Sequence, residues 1–188
     1  MSINLMNIAL IGYRGTGKSL VGRLLALELT WVTGSAWQFV DADVEIQRTE
    51  GRSIAEIFAT EGEPYFREVE ARVVKDLVTL PQAVLSLGGG AILRAENRAA
   101  LQGTCHVVWL TATPETICER LREDEKSAQQ RPRLTDLPAE EEVARLLEER
   151  QPLYRACAAA MVATDDLPPE TVVGHIVQSV PPQYLNQG

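Results

Sequence analysis

The chain has 188 residues, 45% of them hydrophobic, and 26 acidic against 18 basic side chains give a formal net charge of −8. That length suits one domain with a full core and is short for two. The charge argues against nucleic-acid or anionic-membrane partners, no apolar run is long enough for a membrane span, and the opening MSINLMNIALIG has no basic leader, so a cytoplasmic protein is expected.

A strand is predicted at Asn7–Ile11, followed by GYRGTGKS at 12–19 and a helix over Lys18–Leu29. Gly12, Gly15 and Gly17 allow sharp turns that expose backbone N–H groups, and successive N–H groups form an anion nest. The helix N-terminus adds partial positive charge, Lys18 a full one, and Ser19 a hydroxyl for a metal ion. This is the P-loop pattern G-x-x-x-x-G-K-[ST] in a strand–loop–helix context, and it predicts a nucleoside triphosphate site. Gly15, Thr16, Gly17, Lys18, Ser19 and Leu20 are its expected nucleotide contacts. Leu20, Val21, Leu24, Leu25 and Leu27 are spaced for the buried face of the helix, and Trp31 and Trp37 in TWVTGSAWQ are expected to pack.

The second strand, Gln38–Asp41, ends in FVDADVEI. Asp41 is placed to support magnesium, directly or through water. Asp43 either accepts a proton or hydrogen bond from a hydroxyl nucleophile or caps the next helix. Helices are expected near Asp43–Thr49, Ser53–Thr60 and Pro64–Val78. Ser53 and Glu56 form a capping box, and Pro64 suits a first helical turn. Arg67 lies in EPYFREVE, one turn before Glu70.

A third strand, Ala83–Leu87, runs into Gly88, Gly89 and Gly90. Three glycines at a strand end make a tight turn or let a ligand touch the backbone, with N–H groups toward the same crevice. A helix at Ala95–Leu101, a strand at His106–Leu110 and a helix at Pro114–Arg122 follow. His106 and His175 are isolated, which favours structural roles over zinc ligation. Cys105, Cys118 and Cys157 contain no CxxC pair and fit reduced thiols.

Residues 122–141 are polar and proline-bearing, an idle surface loop or a mobile lid, and carry Arg131 and Arg133. A helix at Ala139–Arg155 contains Arg150 in EERQPLYR. A strand at Met161–Thr164, a helix at Pro169–Ser179 and a frayed tail at 181–188 complete the chain. Short apolar strands separated by helices imply one three-layer α/β/α domain over 1–188, with a five-stranded parallel sheet covered on both faces. Ligands in such folds sit at the carboxyl ends of the strands. Arginine suits a bidentate grip on carboxylate or phosphate, although each arginine can equally be a solvated surface residue.

Taken in order, GYRGTGKS, FVDADVEI, SIAEIFATEGEPYFREVE, LGGGAIL, QRPRL and ERQPLY resemble the shikimate kinase family from the P-loop to about Ala158. The resemblance implies a nucleoside-monophosphate-kinase-type fold and ATP- and magnesium-dependent phosphorylation of the 3-hydroxyl of shikimate, a step toward chorismate and the aromatic amino acids. It implies roles as well: Lys18 and Ser19 on phosphate and magnesium, Asp41 on the metal through water, and Asp43 on the substrate hydroxyls as base. Arg67 grips the substrate carboxylate with help from Arg150, Gly89 contacts the ring, and Arg131 reaches the ATP phosphates. The expected partners are ATP and shikimate, and the expected state is a monomer. Three features depart from the family pattern: Arg133 replaces the first leucine of R-P-L-L, the segment before Arg131 is a little long, and TWVTGSAWQ is longer and richer in tryptophan than expected. Arg122 is the candidate for the adenine contact. A gluconate kinase would share the P-loop but needs no set of carboxylate-binding arginines. A GTPase-like switch would need D-x-x-G and N-K-x-D, which the chain lacks.

Overall fold

The computed structural model describes residues 7–123 and 138–185, leaving aside the side chain of residue 139. Five parallel strands form one sheet in the order β2-β3-β1-β4-β5. They are β1 (Asn7–Ile11), β2 (Gln38–Asp41), β3 (Ala83–Ser86), β4 (Cys105–Thr111) and β5 (Ala160–Ala163). The described helices are α1 (Lys18–Thr33), α2 (Ala42–Glu50), α3 (Ile54–Leu77), α4 (Ala95–Thr104), α5 (Pro114–Glu123), α6 (Ala139–Cys157) and α7 (Pro169–Ser179).

The central strand is buried on both faces, so beyond hydrogen-bonded Asn7 its residues are apolar in sequence rather than alternating. Ala9 and Ile11 face one core with Ile46 of α2, Val69 and Val73 of α3, Leu101 of α4 and Tyr154 of α6. Ile8 and Leu10 face the other, with Val21, Leu25 and Leu29 of α1 and Val172 and Ile176 of α7. A small third cluster joins Tyr13 of the P-loop to Ile117 and Cys118 of α5 and Val143 and Leu146 of α6. That cluster packs the segment after β1 against α5, which follows β4, and α6, which precedes β5.

The buried face of α1 differs from the expected one. Val21 and Leu25 are buried, but Leu20 and Leu27 are exposed, because the row against the sheet is Lys18, Val21, Gly22, Leu25 and Leu29. That row seats the helix closely: a Cβ on Gly22 would lie 2.5 Å from the Phe39 ring. The helix also outlasts Leu29. It runs to Thr33 and stops at Gly34, which takes the left-handed conformation (φ 68°) and returns its N–H to Thr30. Most of TWVTGSAWQ is thus helix and cap. Trp37 is buried and donates its indole N–H to Thr33 Oγ1 at 3.1 Å, whereas Trp31 is 86% exposed and packs against nothing that would hide it.

The two helices expected between Ser53 and Val78 are the two halves of α3, which meet at non-helical Gly62 (φ 80°, ψ 177°), and Pro64 lies in the first turn beyond it. The Ser53–Glu56 capping box is formed. Buried His106 lies 3.1 Å from Ser179 Oγ, and burial lowers its pKa; His175 is exposed. At the tail, a 3₁₀ turn over Pro182–Tyr184 brings Tyr184 and Leu185 against the α1/α7 core, and residues 186–188 of the expected frayed tail lie outside the described residues. No helix among the described residues is long and apolar enough to cross a membrane.

Candidate active site

The P-loop is built tightly against β4. Gly12 has φ 142°, and a Cβ there would lie 2.4 Å from the Leu110 carbonyl oxygen, so only glycine fits. The Lys18 ammonium is buried and donates to the carbonyls of Gly12 at 2.9 Å and Tyr13 at 2.8 Å. Thr16 is buried too, with its hydroxyl on the Tyr13 carbonyl at 2.8 Å.

Ser19, at the start of α1, donates its hydroxyl to Asp41 Oδ2 at 2.6 Å and lies 3.4 Å from Ser86 Oγ. Parallel pairing explains the meeting, because Asp41 at the end of β2 is level with Ser86 at the end of β3. The other Asp41 oxygen accepts the Asp43 N–H at 3.0 Å, so Asp41 and not Asp43 is the N-cap of α2. The Asp43 side chain lines the cavity.

That cavity, about 350 Å³, is lined by Gly15, Gly17, Lys18, Ser19 and Leu20 of the P-loop, by Asp41 and Asp43, and by Gly88 and Gly89. Leu20 stays on its wall although it does not serve the core. Three polar wall residues, Arg14, Arg23 and Ser86, were not singled out from the sequence, nor were the apolar Ile54 and Leu87. Ser86 is the most legible of them, a hydroxyl at a strand end beside the P-loop.

The glycine turn divides its labour. Gly88 and Gly89 line the cavity, but Gly90 does not. Gly90 is the seat of Arg67: a Cβ there would lie 2.4 Å from both terminal guanidinium nitrogens. Arg67 Nη1 donates to Glu70 Oε2 at 2.7 Å, and Nε and Nη2 donate to Glu63 Oε1 at 3.1 and 2.9 Å. Burial works against this charge, but the two carboxylates outweigh it and the Arg67 pKa is raised. Arg150 is buried behind the same turn, with Nη1 3.4 Å from the Gly89 carbonyl oxygen and its guanidinium 5.9 Å from the Tyr13 ring centroid. Tyr154, one turn further along α6, donates its hydroxyl to the Gly89 carbonyl at 2.5 Å and stacks on Trp109. Arg67 and Arg150 thus converge on the glycine turn from two helices, beside the cavity rather than on its wall.

Arg122, the expected adenine contact, is an exposed residue paired with Glu140 at 2.6 Å. Arg120 is the inward-facing arginine of α5. It reaches the Gly15 carbonyl at 3.3 Å, Thr164 Oγ1 at 2.9 Å and the Thr164 carbonyl at 2.7 Å. The signal for it was helical spacing, since Arg120 lies one turn beyond buried Ile117. Arg131, Arg133 and most of the candidate lid lie outside the described residues.

With this geometry in place, three comparisons bear on the chain. A sequence model of the shikimate kinase family matches residues 14–181. A shikimate kinase of Rhodopirellula baltica is 38% identical over 175 residues, covering 93% of this chain and 90% of the relative. Among solved structures, a shikimate kinase from Acinetobacter baumannii in complex with shikimate superposes with a TM-score of 0.84 at 37% identity, covering 93% of this chain and 92% of that one. A gluconokinase from Sinorhizobium meliloti superposes with a TM-score of 0.57 at 17% identity, over 94% of this chain and 91% of that one, which is a likeness of fold alone. The extent of the family match and the identity over nine-tenths of both chains leave one conclusion: the chain belongs to the shikimate kinase family.

Proposed function

We propose that this chain transfers the terminal phosphoryl group of ATP to the 3-hydroxyl of shikimate, giving shikimate 3-phosphate. The observation that carries the reading is the single cavity that joins the P-loop to Asp41, Asp43 and the Gly88–Gly89 turn, with Arg67 and Arg150 fixed beside that turn. A polyhydroxylated carboxylate needs a carboxylate for its hydroxyls, backbone groups for its ring and guanidinium groups for its charge. Phosphoryl transfer needs mainly positioning and charge neutralisation.

The P-loop backbone from Gly15 to Leu20 holds the phosphates, and Lys18 exchanges the Gly12 and Tyr13 carbonyls for phosphate oxygens. Asp43 holds the acceptor hydroxyl and takes its proton. Arg67 and Arg150 take the substrate carboxylate, and Gly89 bounds the ring. Arg131 stabilises charge on the transferring group from the lid. Arg120 borders the base end of the nucleotide, beside Gly15 and Thr164.

The donor set fits magnesium. Ser19 Oγ and Asp41 Oδ2, 2.6 Å apart on the cavity wall, are hard oxygen donors suited to a cation that keeps several waters. Such an ion would neutralise phosphate charge there, with Ser19 as direct ligand and Asp41 acting through water. The rest of the reading is one kinase domain over residues 1–188, a cytoplasmic monomer with no nucleic-acid or membrane partner.

The test is a coupled assay of magnesium-dependent ATP turnover against a panel of acceptors. Shikimate is expected to stimulate turnover, and gluconate and nucleoside monophosphates are not. Equal stimulation by gluconate, or none by saturating shikimate, overturns the reading.

A further inference from the structure

We infer that Glu63 is an internal stand-in for the substrate carboxylate, and that its displacement from Arg67 sets the selectivity of the acceptor site for carboxylates. The inference rests on the reading that Arg67 binds that carboxylate. Its ground is how the Arg67 guanidinium spends its edges. One face lies against Gly90. Nη1 is committed to Glu70, whose side chain is 1% exposed and cannot leave without stranding a buried charge. The Nε/Nη2 edge, which presents two parallel N–H bonds as carboxylate forks require, is occupied by Glu63.

Glu63 fills that edge in an improvable way. Both N–H groups converge on one oxygen, Oε1, at 3.1 and 2.9 Å, rather than on two. Its side chain is 49% exposed, so releasing it to water costs little. Its backbone follows Gly62, where α3 breaks (φ 80°, ψ 177°), and precedes Pro64, so it stands at the loose start of a helical segment. The two carboxylates on Arg67 are therefore unequal: Glu70 is a fixed anchor and Glu63 is exchangeable. A ligand carboxylate bringing two oxygens to the same edge replaces a one-oxygen contact by a two-oxygen one. A neutral ligand brings nothing that displaces Glu63. The chain's own carboxylate thus keeps the arginine oriented when the site is empty and lowers apparent affinity by the fraction of molecules in which the edge is taken.

The experiment is calorimetric titration of wild type, Glu63→Gln, Glu63→Ala and Arg67→Ala, each with shikimate and with its analogue bearing a hydroxymethyl group in place of the carboxylate. Glu63→Gln and Glu63→Ala are expected to bind shikimate about two- to fivefold more tightly, the worth of a half-exposed ion pair. Neither is expected to change the binding of the analogue. Arg67→Ala is expected to weaken shikimate binding and leave the analogue alone. Shikimate binding that is weaker or unchanged in both Glu63 variants, with Arg67→Ala still weakened, overturns the stand-in while sparing the carboxylate role of Arg67. Unchanged binding in Arg67→Ala overturns that role itself. Tighter analogue binding in the Glu63 variants overturns the carboxylate-specific exchange.

Discussion

Ser19 and Asp41, 22 residues apart in sequence, share a hydrogen bond of 2.6 Å. Asp41 uses its second oxygen to cap α2 through the Asp43 N–H. One side chain thereby fixes the Ser19 hydroxyl and the start of the helix that carries Asp43.

The two tasks of Asp41 separate by substitution. Asparagine keeps an N-cap acceptor and removes the charge, whereas alanine removes both. Asp41→Asn is expected to raise the Mg2+ concentration for half-maximal turnover at nearly unchanged Tm. Asp41→Ala is expected to do the same and to lose a further ~1 kcal/mol of stability through the missing cap. Magnesium titrations of turnover beside thermal melts check this. An unchanged magnesium requirement in Asp41→Asn would remove Asp41 from the metal site.

Gly90 and Gly12 make a second pair of opposites. A Cβ at either position would lie 2.4 Å from a neighbour, but the neighbours differ. At Gly90 they are the ends of a flexible arginine, and φ is an ordinary −101°. At Gly12 the neighbour is the Leu110 carbonyl oxygen, and φ is 142°. Gly90→Ala is therefore expected to fold, push Arg67 off its seat and raise the KM for shikimate about ten- to hundredfold, the scale of a disrupted desolvated ion pair. The KM for ATP should hold. Gly12→Ala is expected to fail at the level of folding, seen as lost soluble protein or a collapsed Tm. A normal shikimate KM in Gly90→Ala would show that Arg67 reaches its ligand without this seat.

The strands were legible to within about a residue because short apolar runs between turn residues are what a doubly covered parallel sheet demands. Asn7–Ile11 and Gln38–Asp41 needed no correction. The carboxyl end of α1 was not legible. Thr30 and Thr33 return their hydroxyls to the carbonyls of Ala26 and Leu29 within the helix, and Trp31 faces solvent where an apolar residue suggests packing. At the site, residue types and spacing pointed to Lys18, Ser19, Asp41 and Asp43, which meet at one cavity. They could not show that Gly90 serves Arg67 rather than a ligand, or that Arg120 and not Arg122 turns inward. Both depend on which side of an element faces its neighbour in the assembled layers.

Lys18 bonds two carbonyls of its own loop. Lys18→Met keeps a long unbranched side chain but leaves both oxygens without that donor and the phosphates without their cation. Turnover is expected to fall by about 10²–10³ at saturating substrates, the loss typical of one preorganised electrostatic group. Shikimate binding measured without nucleotide should stay within about twofold of wild type, because the proposed acceptor contacts, Asp43 and the groups at the glycine turn, do not include Lys18. A similar loss in both would mean that Lys18 supports the whole cavity and not the phosphates alone.

Arg120 and Arg122 sit on one helix two residues apart and therefore face different ways. Arg120 spans three acceptors, the carbonyls of Gly15 and Thr164 and the hydroxyl of Thr164, and so ties the P-loop to the segment after β5. Its removal leaves those acceptors without their charged donor, at about 1.5–3 kcal/mol per charged hydrogen bond lost, softened where water replaces it. For a chain of this size a net loss of about 2 kcal/mol, after water has replaced part of the contact, corresponds to a Tm lower by about 4–8 °C in Arg120→Ala. The KM for ATP should rise as well, because Gly15 belongs to the phosphate loop. Arg122 pairs with Glu140 in the open, where an ion pair contributes little. Arg122→Ala is expected to leave both Tm and the ATP KM near wild type. Arg120→Lys should fall between, since one ammonium keeps the charge but cannot span three acceptors in a plane. Thermal melts and ATP titrations on the three variants decide it. A raised ATP KM in Arg122→Ala with a normal one in Arg120→Ala would return the nucleotide contact to the outer face of α5.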